Sequence, residues 1–435
     1  METNNYLVAV KDQYEKLPYP PVNPQDEKKR LQRTWLEDLP MINHYCFQGK
    51  QSFQDKFRAL VAGGGTGDAT IFLAEQLRFT NAEIVHLDLS QASIDIAKAR
   101  AAVRGLDNIR WVQDSLLNLS GLGLGQFDYI NCSGVLHHLA DPDAGMHALK
   151  SVLKEGGAMG LMLYGTIGRT GVYQMQQLLR LLNVGVRDDL KIAHAKELLG
   201  TLRPTCWFKR GEELYTDHNN GDAGIHDLLL HSQDRAYTIT EIFEWLADLH
   251  GFNIELTDVE RGRYPYLPKM TLGQDTAKIR RQLATMPLRS QYAMSELLVG
   301  DLITHTFYLT TSCAAKAPYG DADYVPFFFH EPLTGAILAH VFTSNNGLPF
   351  PLHHEFLGLT IMVDPGKYAS KILCHVDGKK TFHEIFDLLR KDPEFRTSPP
   401  DNTTLFADFF ESYDTLNAID RLLLRHSSCL QPESV

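Results

Sequence analysis

Residues 58–77, RALVAGGGTGDATIFLAEQL, run from an apolar strand through a glycine-rich turn directly into a helix, a unit that commits a chain to a parallel α/β sheet. Arg58 to Ala62 reads as a buried strand and Ala69 to Leu77 as a helix carrying Ile71, Phe72, Ala74 and Leu77 on its apolar side. Between them Gly63, Gly65 and Gly67 let the backbone turn sharply and come close to a ligand. The next strand, Ile84 to Leu87, ends in Asp88, 21 residues past Gly67. That is close to the offset of about 20 residues at which an acid meets a ribose hydroxyl pair. A third strand, Ile109 to Gln113, ends in Asp114, and a fourth, Phe127 to Asn131, runs into Cys132-Ser133-Gly134. Four strand ends therefore face one crevice at the carboxyl edge of the sheet, where open parallel sheets bind ligands.

The glycine turn, Asp88-Leu89-Ser90, Gln113-Asp114-Ser115 and the phrase FDYINCSGVLHHL together resemble the class I S-adenosylmethionine-dependent methyltransferases, over about residues 57–164. The resemblance implies S-adenosyl-L-methionine as cofactor. Gly63, Gly65 and Gly67 would cradle its methionine moiety, Asp88 would hold the ribose hydroxyls and Asp114 would reach the adenine amino group, with Leu89 and Ser115 beside them as further cofactor-binding residues. Ser133 would complete the site at the end of the fourth strand. Two positions depart from the family pattern. Val61 stands where many members carry an acid, two residues before the first glycine, and Gly64 stands where many carry Cys or Ser. The GGG also resembles the aminopropyltransferases, but those place an aspartate where this chain has Cys132-Ser133-Gly134. A dinucleotide dehydrogenase fits less well, since Asp68 takes the place of the third glycine of GxGxxG.

At 435 residues the chain is long enough for more than one domain. Its 44% hydrophobic and 22% charged residues are those of an ordinary soluble protein. A net charge of −11 opposes binding to a phosphate backbone, so no nucleic-acid partner is expected. The six cysteines include no CxxC pair, which fits a reducing compartment and neither a disulfide framework nor a zinc site. Without a signal-type N-terminus or an apolar run of about 18 residues, the expected location is cytoplasmic with no membrane span.

The expected fold is α/β, a Rossmann-like, doubly wound, seven-stranded and mostly parallel sheet, with a helical insertion and a smaller C-terminal α+β domain. Residues 1–50 form a lid segment with the turn LPYPP and a helix over Asp26 to Leu36, whose mixed charges read as a solvated face. Tyr14, Tyr19 and Tyr45 are candidates to pack there. Residues 51–315 form the methyltransferase domain, with strands at Ala158 to Leu163, Asn253 to Val259 and His305 to Thr311. The insertion, 165–252, is far longer than a crossover needs and leaves the ligand edge of the sheet, so it is expected to wall the acceptor pocket. Part of it, HDLLLHSQDRAYTITEIFEWLADLHGF, resembles a poorly characterised bacterial methyltransferase group. Residues 316–435 form an accessory domain for a homodimer or protein partner. Its phrase at Ala369 to Leu389 resembles small winged-helix modules that accompany peptide-modifying enzymes, and Asp408 to Leu424 reads as a further helix.

Methyl transfer needs a nucleophile held in line at about 3 to 3.5 Å and, for some acceptors, a base. His138, directly after strand four, Tyr164 at the end of strand five and His231 in the insertion are the candidate catalytic residues. Arg169, Tyr173, Arg235 and Tyr237 are the candidates for holding a small-molecule or peptide substrate, since a guanidinium fork matches a carboxylate. No metal is expected: His226 and His231 are spaced i, i+5 and do not share a helix face. Two functions follow, a methyltransferase acting on an O or N atom, and a non-catalytic S-adenosylmethionine-binding regulator or scaffold.

Overall fold

The computed structural model describes residues 10–272, 276–330, 333–345, 348–354 and 359–429. Seven strands form one sheet: β1 (Arg58–Ala62), β2 (Glu83–Asp88), β3 (Ile109–Gln113), β4 (Phe127–Ser133), β5 (Leu153–Tyr164), β6 (Asn253–Thr257) and β7 (Thr304–Thr310). Their order is β3-β2-β1-β4-β5-β7-β6, and β7 runs antiparallel to both of its neighbours. The fold is Rossmann-like. Alternation along β1 shows both faces covered, with Leu60 and Ala62 in one apolar cluster and Ala59 and Val61 in another, as a doubly wound parallel sheet requires.

Three crossover helices connect these strands: α1 (Asp68–Gln76), α2 (Gln91–Arg104) and α3 (Pro142–Ser151). Ser90 caps α2 by accepting from the Ser93 N–H at 3.1 Å, and Gly105 ends it in the left-handed conformation at φ +67°. Leu73, Ala74 and Leu77 pack on one face of the sheet, and Met146 and Leu149 of α3 on the other. Strand β5 begins at Leu153, earlier than its sequence suggests, because Leu153 already pairs with Phe127 before the register shifts.

The helix expected at Asp26 to Leu36 does not form. Only a single 3-10 turn, Pro24–Lys28, is present, and its charges are not a solvated face. Glu27 is buried between Arg100, at 2.7 Å, and Arg104. From Lys29 to Asp38 the chain is non-helical, which lets Thr34 to Glu37 reach the sheet edge. A helix at Leu39–Cys46 follows, buried over almost its whole length.

Within 165–252 the chain is largely helical, including Val172–Leu182, Asp188–Leu199 and two π-helical stretches, His226–Leu230 and Phe243–Leu249. The C-terminal region builds its own apolar core around Phe382, Phe386, Leu405 and Phe409. It contains β8 (Tyr324–Phe328), the hairpin β9 (Phe350–His354) and β10 (Leu359–Val363), and β11 (Leu422–His426), which pairs antiparallel with β8. The helix expected over Asp408 to Leu424 instead spans Asn402–Ala418. It stops because Asp420, at φ +53°, turns the chain and is held by Tyr45 and by Thr257, 2.7 Å away, so Leu422 onward extends as β11. Those bonds also tie the C-terminal region to the sheet. Thr381 and Glu384 form a reciprocal capping box at the start of Phe382–Arg390. Thr381→Ala should lower stability by about 1 kcal/mol, read as a shift in urea midpoint without change in slope.

Candidate active site

A cavity of about 570 Å³ lies between the carboxyl edge of the sheet and the N-terminal segment. The glycine turn forms its floor. Gly65 sits at φ +52°, and its N–H donates to Asp88 Oδ2 at 2.7 Å, while Asp88 Oδ1 accepts from the Ser90 N–H at 2.8 Å. Asp88 thus braces two loops at once. A Cβ on Gly65 would stand 3.1 Å from the Tyr19 carbonyl, so a side chain there would push against the segment that closes the cavity as well as oppose the backbone angle. Burial pushes the Asp88 carboxyl up, and the three backbone N–H groups around it oppose that shift.

The closing segment is fastened at several points. Thr66 Oγ1 donates to the Pro20 carbonyl at 2.9 Å, and the Glu15 carboxylate accepts from Gln91 and Ala92 N–H at the start of α2. Tyr19 donates to Asp217 of the insertion at 2.6 Å. Gly63, Gly65, Gly67, Asp88, Leu89, Asp114, Ser115 and Ser133 all line the cavity. Asp114 Oδ1 accepts from the Ser115 N–H and from Asn118, both at 2.7 Å, which fixes its carboxylate at the rim.

At the other end of the cavity, beyond β4 and β5, aromatic and ionisable side chains converge. His138 and Tyr164 line it, and so do Tyr14 and Asp227. Tyr14 Oη donates to Asp227 Oδ1 at 3.0 Å, and Tyr164 Oη stands 3.5 Å from Oδ2. His231 stacks on His138 with ring centroids 3.9 Å apart. Burial lowers the His138 pKa to about 4 and holds His231 well below the usual histidine range, so both rings are neutral. Their protons can then be placed from their partners. His138 Nδ1 faces the Gln233 carbonyl at 3.0 Å and must donate, which leaves Nε2 with its lone pair. His231 Nδ1 accepts from the Gln233 N–H at 3.1 Å, so its proton sits on Nε2, 3.4 Å from Tyr14 Oη. Burial pushes the Asp227 carboxyl up to about 6, against the Tyr14 hydrogen bond.

Ligand atoms of His138, Asp227 and His231 lie within 4.8 Å of one another, as do those of Asp143, His147 and His250. Either trio has the donor types for a divalent cation. In the first, the proton on His231 Nε2 opposes coordination through that atom.

The insertion residues divide. Arg169 is buried with its guanidinium carbon 3.6 Å from the centroid of the Tyr164 ring, and Tyr173 stands next to it, but neither lines the cavity. Arg235 and Tyr237 do not line the cavity either. The Tyr237 N–H donates to the Tyr164 carbonyl at 2.8 Å, which makes residue 237 an extension of the sheet and sends its ring into the core against Trp245. Arg235 is exposed and pairs with Glu241 at 3.3 Å. Arg235→Ala should therefore leave cofactor affinity within about twofold in a titration, as surface pairs contribute about 1 kcal/mol at most. Asp227 and Glu37 line the cavity but are absent from the candidate site residues read from the sequence. Asp227 follows His226 in a run rich in reactive side chains, but only the π-helical turn at 226–230 shows which of them faces inward.

A family profile described as "Methyltransferase domain" matches residues 60–159. An uncharacterised protein of Synechococcus sp., syc1184_c, is 30% identical over 319 residues, 72% of this chain and 74% of that protein. The ubiquinone biosynthesis O-methyltransferase of Escherichia coli O7:K1 is 27% identical over 164 residues, and the match covers 36% of this chain and 64% of the enzyme. Among solved structures, PKMT2 from Rickettsia typhi in complex with AdoHcy superposes with a TM-score of 0.60 at 14% identity, covering 94% of this chain and 78% of that one. With the sheet order and the glycine turn, these place the chain among the class I S-adenosylmethionine-dependent methyltransferases. S-adenosyl-L-methionine is its cofactor. No helix among the described residues is long and apolar enough to cross a membrane.

Proposed function

We propose that the protein transfers the cofactor's methyl group to an O or N atom of a small molecule or peptide side chain that enters beside His138 and Tyr164. The bound cofactor supplies a methyl group already activated by its sulfonium. Asp88 would accept from the ribose hydroxyls, Asp114 and Ser115 would meet the adenine, and the 63–67 turn would hold the methionine portion. His138 Nε2 takes the acceptor's proton, because His138 lines the cavity with that nitrogen's lone pair free, and His138 is neutral at physiological pH. Asp227, bonded to Tyr14 and close to Tyr164, holds both phenols at the acceptor end of the cavity. Arg169 stiffens Tyr164 from behind through the stacked guanidinium. An oxygen acceptor is also what the name of the related Escherichia coli enzyme states for that enzyme. We place the protein in the cytoplasm, acting without nucleic acid or membrane, with the C-terminal region available to a second copy or a protein partner.

The observation that carries this reading is the bare His138 Nε2 at the end of the cavity that the glycine turn opens. Its test is incubation of the full chain with methyl-labelled S-adenosylmethionine and a fractionated cell extract. Label in a small molecule or peptide, with S-adenosylhomocysteine released in equal amount, supports it. Cofactor binding without either product would favour the non-catalytic alternative.

A further inference from the structure

Two acids of the cavity, Glu37 and Asp68, have no part in the chemistry above, and Asp68 is paired with Arg100. Glu37 lines the cavity yet is only 2% exposed, on the non-helical stretch ahead of Leu39–Cys46. Its carboxylate accepts from the side-chain amide of Asn131, which pairs on β4 with Val61 on β1. Among the described residues, no cation is paired with it. Arg33, its neighbour on the same segment, is taken by Asp38 at 2.5 Å, and Arg100 is taken by Glu27 and Asp68. Burying a carboxylate without a cation is costly, and burial pushes Glu37 up to about 7. A site that keeps such a group inside a ligand cavity is built for a positive charge that the protein itself does not supply.

The sheet order says which charge. Asp114 ends β3, Asp88 ends β2, and Glu37 is reached through Asn131 on β4, beside β1. Strands lie about 4.8 Å apart, so these acids form a row across the crevice. A cofactor with adenine at β3 and ribose at β2 brings its amino-acid end over β1 and β4. That end carries an ammonium.

We propose that Glu37 is the counter-ion of the cofactor's α-ammonium, supplied by the closing segment to a site where β1 presents the apolar Val61. The proposal rests on the cofactor orientation given under the proposed function. Thr34, Trp35 and Leu36 line the cavity with Glu37, so the segment that closes over the ligand also carries the group that recognises its charge.

The test is calorimetric titration of the full chain and of Glu37→Gln with S-adenosylhomocysteine and with 5′-methylthioadenosine, which keeps adenine, ribose and thioether but lacks the amino-acid end. Glu37→Gln should weaken S-adenosylhomocysteine by about tenfold or more, the weight of a hydrogen bond to a charged group, and leave 5′-methylthioadenosine within about twofold. Retained 5′-methylthioadenosine binding also shows that the variant folds. In the unsubstituted chain, S-adenosylhomocysteine affinity should rise between about pH 5.5 and 7.5 as Glu37 ionises, and the variant should lose that contribution, while Asp227, pushed up to about 6 at the other end of the cavity, is common to both chains. The groups facing Glu37 are Asp38 and Asp68, each paired with an arginine, and the phenols of Tyr129 and Tyr308, which do not titrate in that window. Equal loss for both ligands, or no loss for either, would overturn the proposal. If the unsubstituted chain bound neither ligand, the cofactor orientation itself would fail, and this inference with it.

Discussion

Replacing His138 by alanine should lower the rate of methyl transfer by about 10²- to 10⁴-fold at saturating cofactor, the usual contribution of a positioned base. The geometry behind this is specific. Gln233 engages the Nδ1–H, the ring is neutral, and Nε2 remains bare at the acceptor end of the cavity. His231 cannot take over, because its Nδ1 is occupied by the Gln233 N–H and its Nε2 carries the proton. Single-turnover kinetics separates this effect from binding: the alanine variant should bind S-adenosylhomocysteine within about tenfold of the original chain. A variant with unchanged turnover would show that positioning alone drives the transfer, as it can for an acceptor that is already a good nucleophile.

Asp88→Ala should weaken cofactor binding by about 1 to 3 kcal/mol, the cost of stranding a buried hydrogen-bond partner. The structure adds a reason beyond the ribose. The same carboxylate accepts from Gly65 N–H and Ser90 N–H, so the substitution loosens the glycine turn and the start of α2 together. Asp88→Asn keeps one acceptor oxygen and should lose less. Equilibrium dialysis with S-adenosylhomocysteine ranks the three chains, and equal affinities would mean that the ribose lies elsewhere.

The sheet was legible because its signals are local and repeated. Apolar runs bounded by glycines and acids place all of β1 to β4 within a residue or two, and Ser90 and Gly105 mark both ends of α2. The positions expected on the cofactor side line the cavity for the same reason, since each lies at or just past a strand end whose location is already set. What could not be read depends on distant partners. DEKKRLQR has the charge pattern of an exposed helix, yet Glu27 is drawn inward by Arg100 and Arg104, more than 70 residues away in sequence. Leu422 to Leu424 continue an apolar helical pattern, but Asp420 is captured by Tyr45 and Thr257 and turns the chain into a strand. Tyr237 carries the residue type of a pocket wall, and one backbone bond to Tyr164 decides that its ring faces the core. Glu37 carries no sequence signal at all. Only its burial, with a hydrogen bond from Asn131 and no cation paired with it among the described residues, marks it out.

The most direct measurement is a structure of the full chain with S-adenosylhomocysteine bound. The account predicts the ribose hydroxyls on Asp88, the adenine beside Asp114 and Ser115, and the sulfur facing the end of the cavity formed by His138, Tyr164 and Asp227. A ligand bound outside the cavity, or with its sulfur turned toward Asp114 and away from His138, would contradict it.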